Sequence, residues 1–261
     1  MSIQVTVTRD VAAQKLHFDA TFPASTAPWT LQLPTWRPGR YELANFAQYV
    51  MWVKGVAADG TETTLSKTNL HSWHVPAGVN RVSWLFHADI LNAGSTCVES
   101  DLFYVNPVNC FMYDVSRPEL SFEIRLADLT LAEDKASGWA LATALPWTAE
   151  DGTPVMRARD VQHVMDAPWV ASPKLWHDSY REQGLDVHIW VHDTLPADPT
   201  RFAPGPRTPT PCWSRLRRLG EKCVELSASS SVQTADAPPP MAAPPPSPRE
   251  IIKEIINYLL L

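Results

Sequence analysis

Apolar and polar residues alternate with a period of two along most of the first 200 positions. Ile3, Val5 and Val7 alternate with polar neighbours, and Leu16, Phe18 and Ala20 repeat the pattern after a short break. A period of two gives one buried and one wet face, which predicts half-buried antiparallel strands. Similar runs predict strands at Thr30–Leu33, Met51–Val56, Asn69–Val75, Arg81–Phe86, Ser121–Leu126, Val155–Arg159, Leu175–Tyr180 and Leu185–His192. Asp59-Gly60, Ala77-Gly78, Asp151-Gly152 and Gln183-Gly184 supply turn chemistry between several of them. Helical periodicity is scarce before position 200, and Glu42–Tyr49 predicts only about two turns. No internal repeat is visible. Many short strands with few helices predict a mainly β fold, either an antiparallel β-sandwich or a curved, saddle-like sheet.

The composition changes after Phe202. Of the 24 prolines, 13 lie in residues 1–203 and 11 in the 58 residues from Pro204 to Leu261. The chain therefore divides into a β domain at 1–203 and a low-complexity tail at 204–261, expected to be disordered and protease-sensitive. Two helices are expected within that tail. One is a basic segment at 212–227, with Leu216, Leu219, Cys223 and Leu226 on one face. The other is an amphipathic segment at 249–261, with Ile251, Ile252, Ile255, Ile256, Leu259 and Leu260 on one face. Ser247 with Glu250 forms a capping box for the second helix, and Pro248 suits its first turn. This helix would dock on the body or pair with another copy. Its polar face carries Lys253, Glu250 and Glu254, a poor match for a membrane surface.

Charge and targeting signals narrow the partners. The net charge is −6, against the basic footprint of a nucleic-acid binder. No stretch approaches the roughly 18–20 apolar residues that cross a bilayer. Met1–Asp10 lacks the basic start and apolar block of a secretory leader. Cys97, Cys110, Cys212 and Cys223 show no C-x-x-C spacing, which predicts buried free thiols rather than a disulfide framework or a four-cysteine zinc site. A cytoplasmic location, with neither membrane nor nucleic acid as partner, follows as the expectation.

The chain shows no complete catalytic constellation. His188-Ile189-Trp190-Val191-His192 has the histidine spacing of H-E-x-x-H, but Ile189 stands where the general base should be. Its context predicts a strand, where residues four apart lie about 13 Å from each other. His71-Ser72-Trp73-His74 offers two histidines on opposite strand faces. There is no G-x-S-x-G elbow, Walker loop or G-x-G-x-x-G, and Gly94-Ser95 has no local base at a recognised spacing. Glu99 and Asp101 read as a solvated strand end. Eleven tryptophans leave a sugar- or peptide-binding β-sandwich open as an alternative. Trp52, Trp73, Trp84 and Trp190 fall on alternating strand positions, however, and the first three are expected to be buried.

One segment points further. In Leu33-Pro34-Thr35-Trp36-Arg37-Pro38-Gly39-Arg40-Tyr41-Glu42-Leu43-Ala44-Asn45, two prolines and a glycine stiffen a sharp turn on which Trp36, Arg40, Tyr41 and Asn45 converge. The segment resembles the W-x-P-G-x-Y signature in the N-terminal domain of the glycyl-aminopeptidase family. Val161-Gln162-His163-Val164-Met165-Asp166-Ala167-Pro168 is similar to that family's L-x-D-x-P passage, and Gly184–Phe202 resembles the strand and loop leading into its catalytic domain.

The resemblance covers about residues 1–203. It implies an N-terminal β domain that walls the substrate cleft of a zinc aminopeptidase, with Trp36, Arg40, Tyr41 and Asn45 facing a peptide. Catalytic and PDZ domains would be its partners, and zinc the cofactor of the intact enzyme. From about Pro204 the likeness ends, with no H-E-x-x-H helix after it. The expectation is a truncated, frame-shifted or mis-joined product that is inactive alone and holds no catalytic residue, metal or cofactor.

Overall fold

The computed structural model describes residues 2–37, 43–57, 60–92, 94–131, 138–182 and 185–192. In chain order, strands β1 (Ser2–Asp10), β2 (Lys15–Thr21) and β3 (Trp29–Gln32) precede a 3-10 turn at Phe46–Tyr49. Then come β4 (Val50–Val56), β5 (Glu62–Thr64), β6 (Lys67–Asn69), β7 (Ser72–Val75), β8 (Arg81–His87), β9 (Cys97–Val98) and β10 (Phe103–Val105). Helix α1 (Pro107–Cys110) leads to β11 (Tyr113–Asp114), β12 (Ser121–Leu126), β13 (Ala140–Thr143), β14 (Trp147–Glu150) and β15 (Thr153–Ala158). Helix α2 (Val161–Met165), β16 (Trp169–Ser172), β17 (Leu175–Glu182) and β18 (Leu185–His192) complete the order.

These strands build an eight-stranded sheet in the order β14-β15-β12-β1-β2-β8-β4-β5. Two four-stranded sheets, β13-β16-β10-β9 and β11-β3-β7-β6, and a β17-β18 hairpin accompany it. Pairing is antiparallel throughout the described ladders except between β1 and β12, which run parallel. The mainly β, largely antiparallel fold that the alternation predicts is therefore the fold observed.

The core lies between the large sheet and the smaller ones. Strand β2 buries Leu16, Phe18 and Ala20 and turns Lys15, His17 and Asp19 outward. Phe18 stacks on Trp84 at 4.9 Å and meets Phe111 edge-on at 5.2 Å; Phe111 in turn meets Trp169 at 5.6 Å. This ring chain joins β2 and β8 of the large sheet to β16. The β13-β16-β10-β9 sheet is buried on both faces. Phe103 and Val105 enter the main core, whereas Tyr104, Cys97 and Val170 form a second cluster flanked by Leu91 and Leu175.

Three local expectations need correction. The run Asn69–Val75 is not one strand, because the Asn69 side chain accepts the His71 amide at 2.9 Å and folds β6 back onto β7. Of the helix expected at Glu42–Tyr49, the described part contains only the 3-10 turn Phe46–Tyr49. Trp73 and Trp84 are buried as expected, but Trp52 is half-buried on the outer face. A bulge between Val50 and Trp52 sets that parity, giving Val53 to the core. Trp52 lies 5.6 Å from the His17 ring, and the Lys54 ammonium sits over it at 4.8 Å. Asp151 and Gly152 both adopt positive φ in the β14–β15 turn, the two-residue hairpin geometry its sequence predicts. Among the described residues no helix is long and apolar enough to cross a membrane. The expected helices at 212–227 and 249–261, and the whole of 204–261, lie outside the described residues.

Candidate functional site

The turn that follows β3 begins one wall of a cleft. The Leu33 amide donates to the His71 carbonyl at 2.9 Å, anchoring the turn to β7. The Ala44 amide donates to the Thr35 carbonyl at 2.7 Å, and the chain then enters the 3-10 turn, where the Gln48 amide donates to the Asn45 carbonyl at 3.2 Å. Phe46 and Tyr49 pack against the core, which leaves Asn45 and Gln48 pointing outward. Trp36 is 51% exposed on this turn.

The facing wall is the segment after β8. Its loop is held by its own side chains: the Asn92 amide donates to Ser95 Oγ at 2.9 Å, and the Gly94 amide to Asn92 Oδ1 at 2.9 Å. Beneath it, α1 contributes Asn109, only 3% exposed, whose Nδ2 donates to the Gly94 carbonyl at 2.7 Å. Asn109 Oδ1 is buried without a hydrogen-bond partner in the structure. The cleft between the walls measures about 330 Å³. Arg37, Asn45, Gln48, His87, Asn92 and Asn109 supply its polar groups, and Phe46, Phe86 and Ile90 its apolar ones. Among the described lining residues Arg37 is the permanent cation, and none is a carboxylate.

Of the four residues expected to face a substrate, Asn45 lines the cleft and Trp36 stands exposed on its turn. Arg40 and Tyr41 lie outside the described residues. The sequence does not single out Arg37 or Asn109, and it offers Gly94 only beside Ser95, in a loop without a local base. Arg37 lies inside the W-R-P-G-R-Y segment, so its signal was present. Asn109 and Gly94 come together only through the packing of α1 under the loop.

Five reactive side chains near the cleft or singled out by sequence are otherwise engaged or buried. The Ser95 hydroxyl donates to the Ile90 carbonyl at 2.5 Å while accepting the Asn92 amide, so it closes a loop. His87 pairs with Asp89 at 3.1 Å. Asp101 pairs with Lys174, whose ammonium holds this carboxyl below its usual range. Cys97 and Cys110 are buried free thiols. Burial, followed by the nearby carboxylates of Glu99 and Asp89, pushes the Cys97 thiol up to about 12, and burial raises Cys110 as well. Both should resist iodoacetamide at pH 8 in the folded chain and react on unfolding, as peptide mapping by mass spectrometry would show. A thiol raised from 9.0 to about 12 retains its proton longer when folded. Its contribution is complete below the unfolded value and is lost as pH rises from about 9 towards 12. Rapid native labelling of either cysteine would contradict this account.

Among the described residues the histidines are not grouped around a common point. His188 and His192 lie on β18, as the strand context predicts, and His188 Nδ1 instead meets His177 Nε2 across the hairpin at 3.0 Å. The His177 ring also stacks on Trp190 at 4.1 Å. Among the described residues no group of three or more His, Cys, Asp or Glu is placed to hold a metal. The described donor set does not fit a zincin centre.

Comparison with known proteins adds three findings. The family model described as the peptidase M61 N-terminal domain matches residues 2–173. No curated protein is similar by sequence. Among solved structures, the chain is similar to an aminopeptidase N family protein from Idiomarina loihiensis, at 18% identity and a TM-score of 0.66 over 76% of this chain. The chain spans 34% of that protein's length, and at this identity the likeness is one of fold alone. An M1 zinc metallopeptidase from Deinococcus radiodurans matches at 15% identity over 84% of this chain and 51% of its own, with a TM-score of only 0.37.

Proposed function

The chain belongs to the peptidase M61 family, whose N-terminal domain it carries at residues 2–173, and on that footing we propose that it is a non-catalytic β domain forming one wall of a peptidase's substrate cleft. The observation that carries the reading is the cleft between the Leu33–Arg37 turn and the loop at 88–96, within the matched residues. Its polar lining is mainly neutral amides and hydroxyls, the groups that pair with peptide N–H and C=O. Trp36 at 51% exposure and Asn45 on the lining supply a flat apolar surface and a hydrogen-bonding edge for an extended peptide.

In this reading the metal-activated water and the charge stabilisation that hydrolysis needs come from the family's catalytic domain. A PDZ domain is the further partner that the sequence resemblance implies. Two buried free thiols suit a reducing compartment, so the cytoplasm is the location proposed. The sugar-binding alternative gains no support from indole placement. Trp29, Trp73, Trp84 and Trp169 are core residues, and the exposed Trp36 and Trp147 stand on different elements.

Two measurements on the chain test the proposal. Glycyl and alanyl anilides should be hydrolysed no faster than in buffer, with or without chelator. A short peptide should shift the backbone amide resonances of Asn45 and Gly94. Hydrolysis that survives chelator and purification to homogeneity would overturn the non-catalytic reading. A titration that moves neither resonance would overturn the cleft reading.

A further inference from the structure

We propose that Asn109 is the residue by which this cleft reads a peptide backbone, its Oδ1 accepting one N–H of the bound ligand. The assignment rests on the cleft being substrate-facing. Asn109 lines the cleft and is only 3% exposed. Its Nδ2 donates to the Gly94 carbonyl at 2.7 Å, which fixes the way the side-chain amide is turned. Reversing it would set two acceptor oxygens 2.7 Å apart. Oδ1 is therefore the end left over, and it has no hydrogen-bond partner among the described residues.

An oxygen in that state is uncommon, because buried amide groups nearly always find a donor. The short helix α1 does not need it, since the Asn109 backbone amide already donates to the Asn106 carbonyl at 3.0 Å. The neighbouring wall has spent its own donors. The Asn92 amide goes to Ser95 Oγ, the Gly94 amide to Asn92 Oδ1 and the Ser95 hydroxyl to the Ile90 carbonyl. The acceptor is thus oriented and unpaired before a ligand arrives. A bound N–H gains a hydrogen bond there without breaking one inside the protein.

The same features define the donor. A neutral amide oxygen suits a neutral N–H, which every residue except proline carries on its backbone. Recognition through it is therefore indifferent to side-chain identity. A volume of about 330 Å³ is near the lower end of the roughly 300–1,000 Å³ typical of ligand pockets, with room for one or two residues. Asn109 Oδ1 is covered by the lining, so the N–H reaches it as that lining gives way around the ligand. The Nδ2 protons, held on Gly94, report the movement.

The test is a nuclear magnetic resonance titration of the chain with N-acetylglycine N-methylamide, a diamide with a backbone N–H on each side of its glycine. Its analogues acetoxyacetic acid N-methylamide and N-acetylglycine methyl ester each replace one N–H by an ester oxygen. At least one ester should bind about tenfold more weakly than the diamide, because an ester oxygen turned to Oδ1 repels it. At equal occupancy the Asn109 Nδ2 protons should shift with the diamide and not with that ester. Asn109→Leu, which keeps the bulk and removes the acceptor, should bring all three ligands to within about twofold of one another. Equal affinity of the unaltered chain for the three, or a difference that survives Asn109→Leu, would overturn the Asn109 assignment and leave the cleft reading standing. Should Asn109→Leu not fold, the Nδ2 shifts of the unaltered chain decide alone. If no ligand moves the Asn45 and Gly94 resonances, both readings fall.

Discussion

Replacing Trp84 by alanine should cost about 3–5 kcal/mol of stability, a large share of the roughly 5–15 kcal/mol that holds a typical domain together. The indole is fully buried, stacked at 4.9 Å on Phe18, and its Nε1 donates to the Cys110 carbonyl at 2.9 Å. Truncation therefore opens a cavity where β2 and β8 meet α1 and also strands a buried carbonyl. For a domain of this size the loss corresponds to a fall in Tm of roughly 6–20 °C. Trp84→Phe keeps most of the packing and should cost less than half as much. Denaturant unfolding measures both, and a loss under about 1 kcal/mol for Trp84→Ala would mean that the ring chain does not organise this core.

Asp114→Ala should be of similar size, for an electrostatic reason. The Asp114 carboxylate is fully buried and accepts the Ser116 amide at 2.8 Å, the Ser116 hydroxyl at 2.6 Å and Arg117 Nε at 2.7 Å. Arg117 Nη1 continues to the Pro23 carbonyl at 3.0 Å, so the group ties the corner after β11 to the segment after β2. Removing the anion leaves a half-buried guanidinium without its counter-charge, which costs about 3–5 kcal/mol. The double variant Asp114→Ala/Arg117→Met should recover part of that loss, because the unpaired charge is gone. If it is no more stable than Asp114→Ala alone, the cost comes from backbone disorder at the corner.

How far the sequence reveals this fold depends on whether a strand has one wet face. β2 and β12 alternate buried and half-exposed positions and read directly from the chain. Phe103, Tyr104 and Val105 are all buried, because their sheet is covered on both sides, and a run of three apolar residues has no period to detect. The four-residue α1 is too short for a helical period, yet it brings Asn109 under the Gly94 loop. Trp52 alternates as a core residue would, and only the bulge before it decides which face it takes. The candidate site was half legible for the same reason. Asn45 and the turn at Trp36 lie in one stiffened segment, whereas the facing wall is assembled by contacts across some fifty residues of chain.

The parallel pairing of β1 with β12 places the opening strand in the interior of the large sheet, with Ser2 opposite Ser121. On a ribosome adding roughly 5–20 residues per second, β1 waits roughly 6–24 s for that neighbour to be made. During that interval β2 can close one flank through a short turn. The other flank stays an open strand edge bearing Ile3, Val5 and Val7, residues that the finished fold buries almost completely. The nascent chain thus passes through a stage when its most central strand is its most adhesive one, so holdase chaperones should engage it before residue 121 emerges and release it soon after.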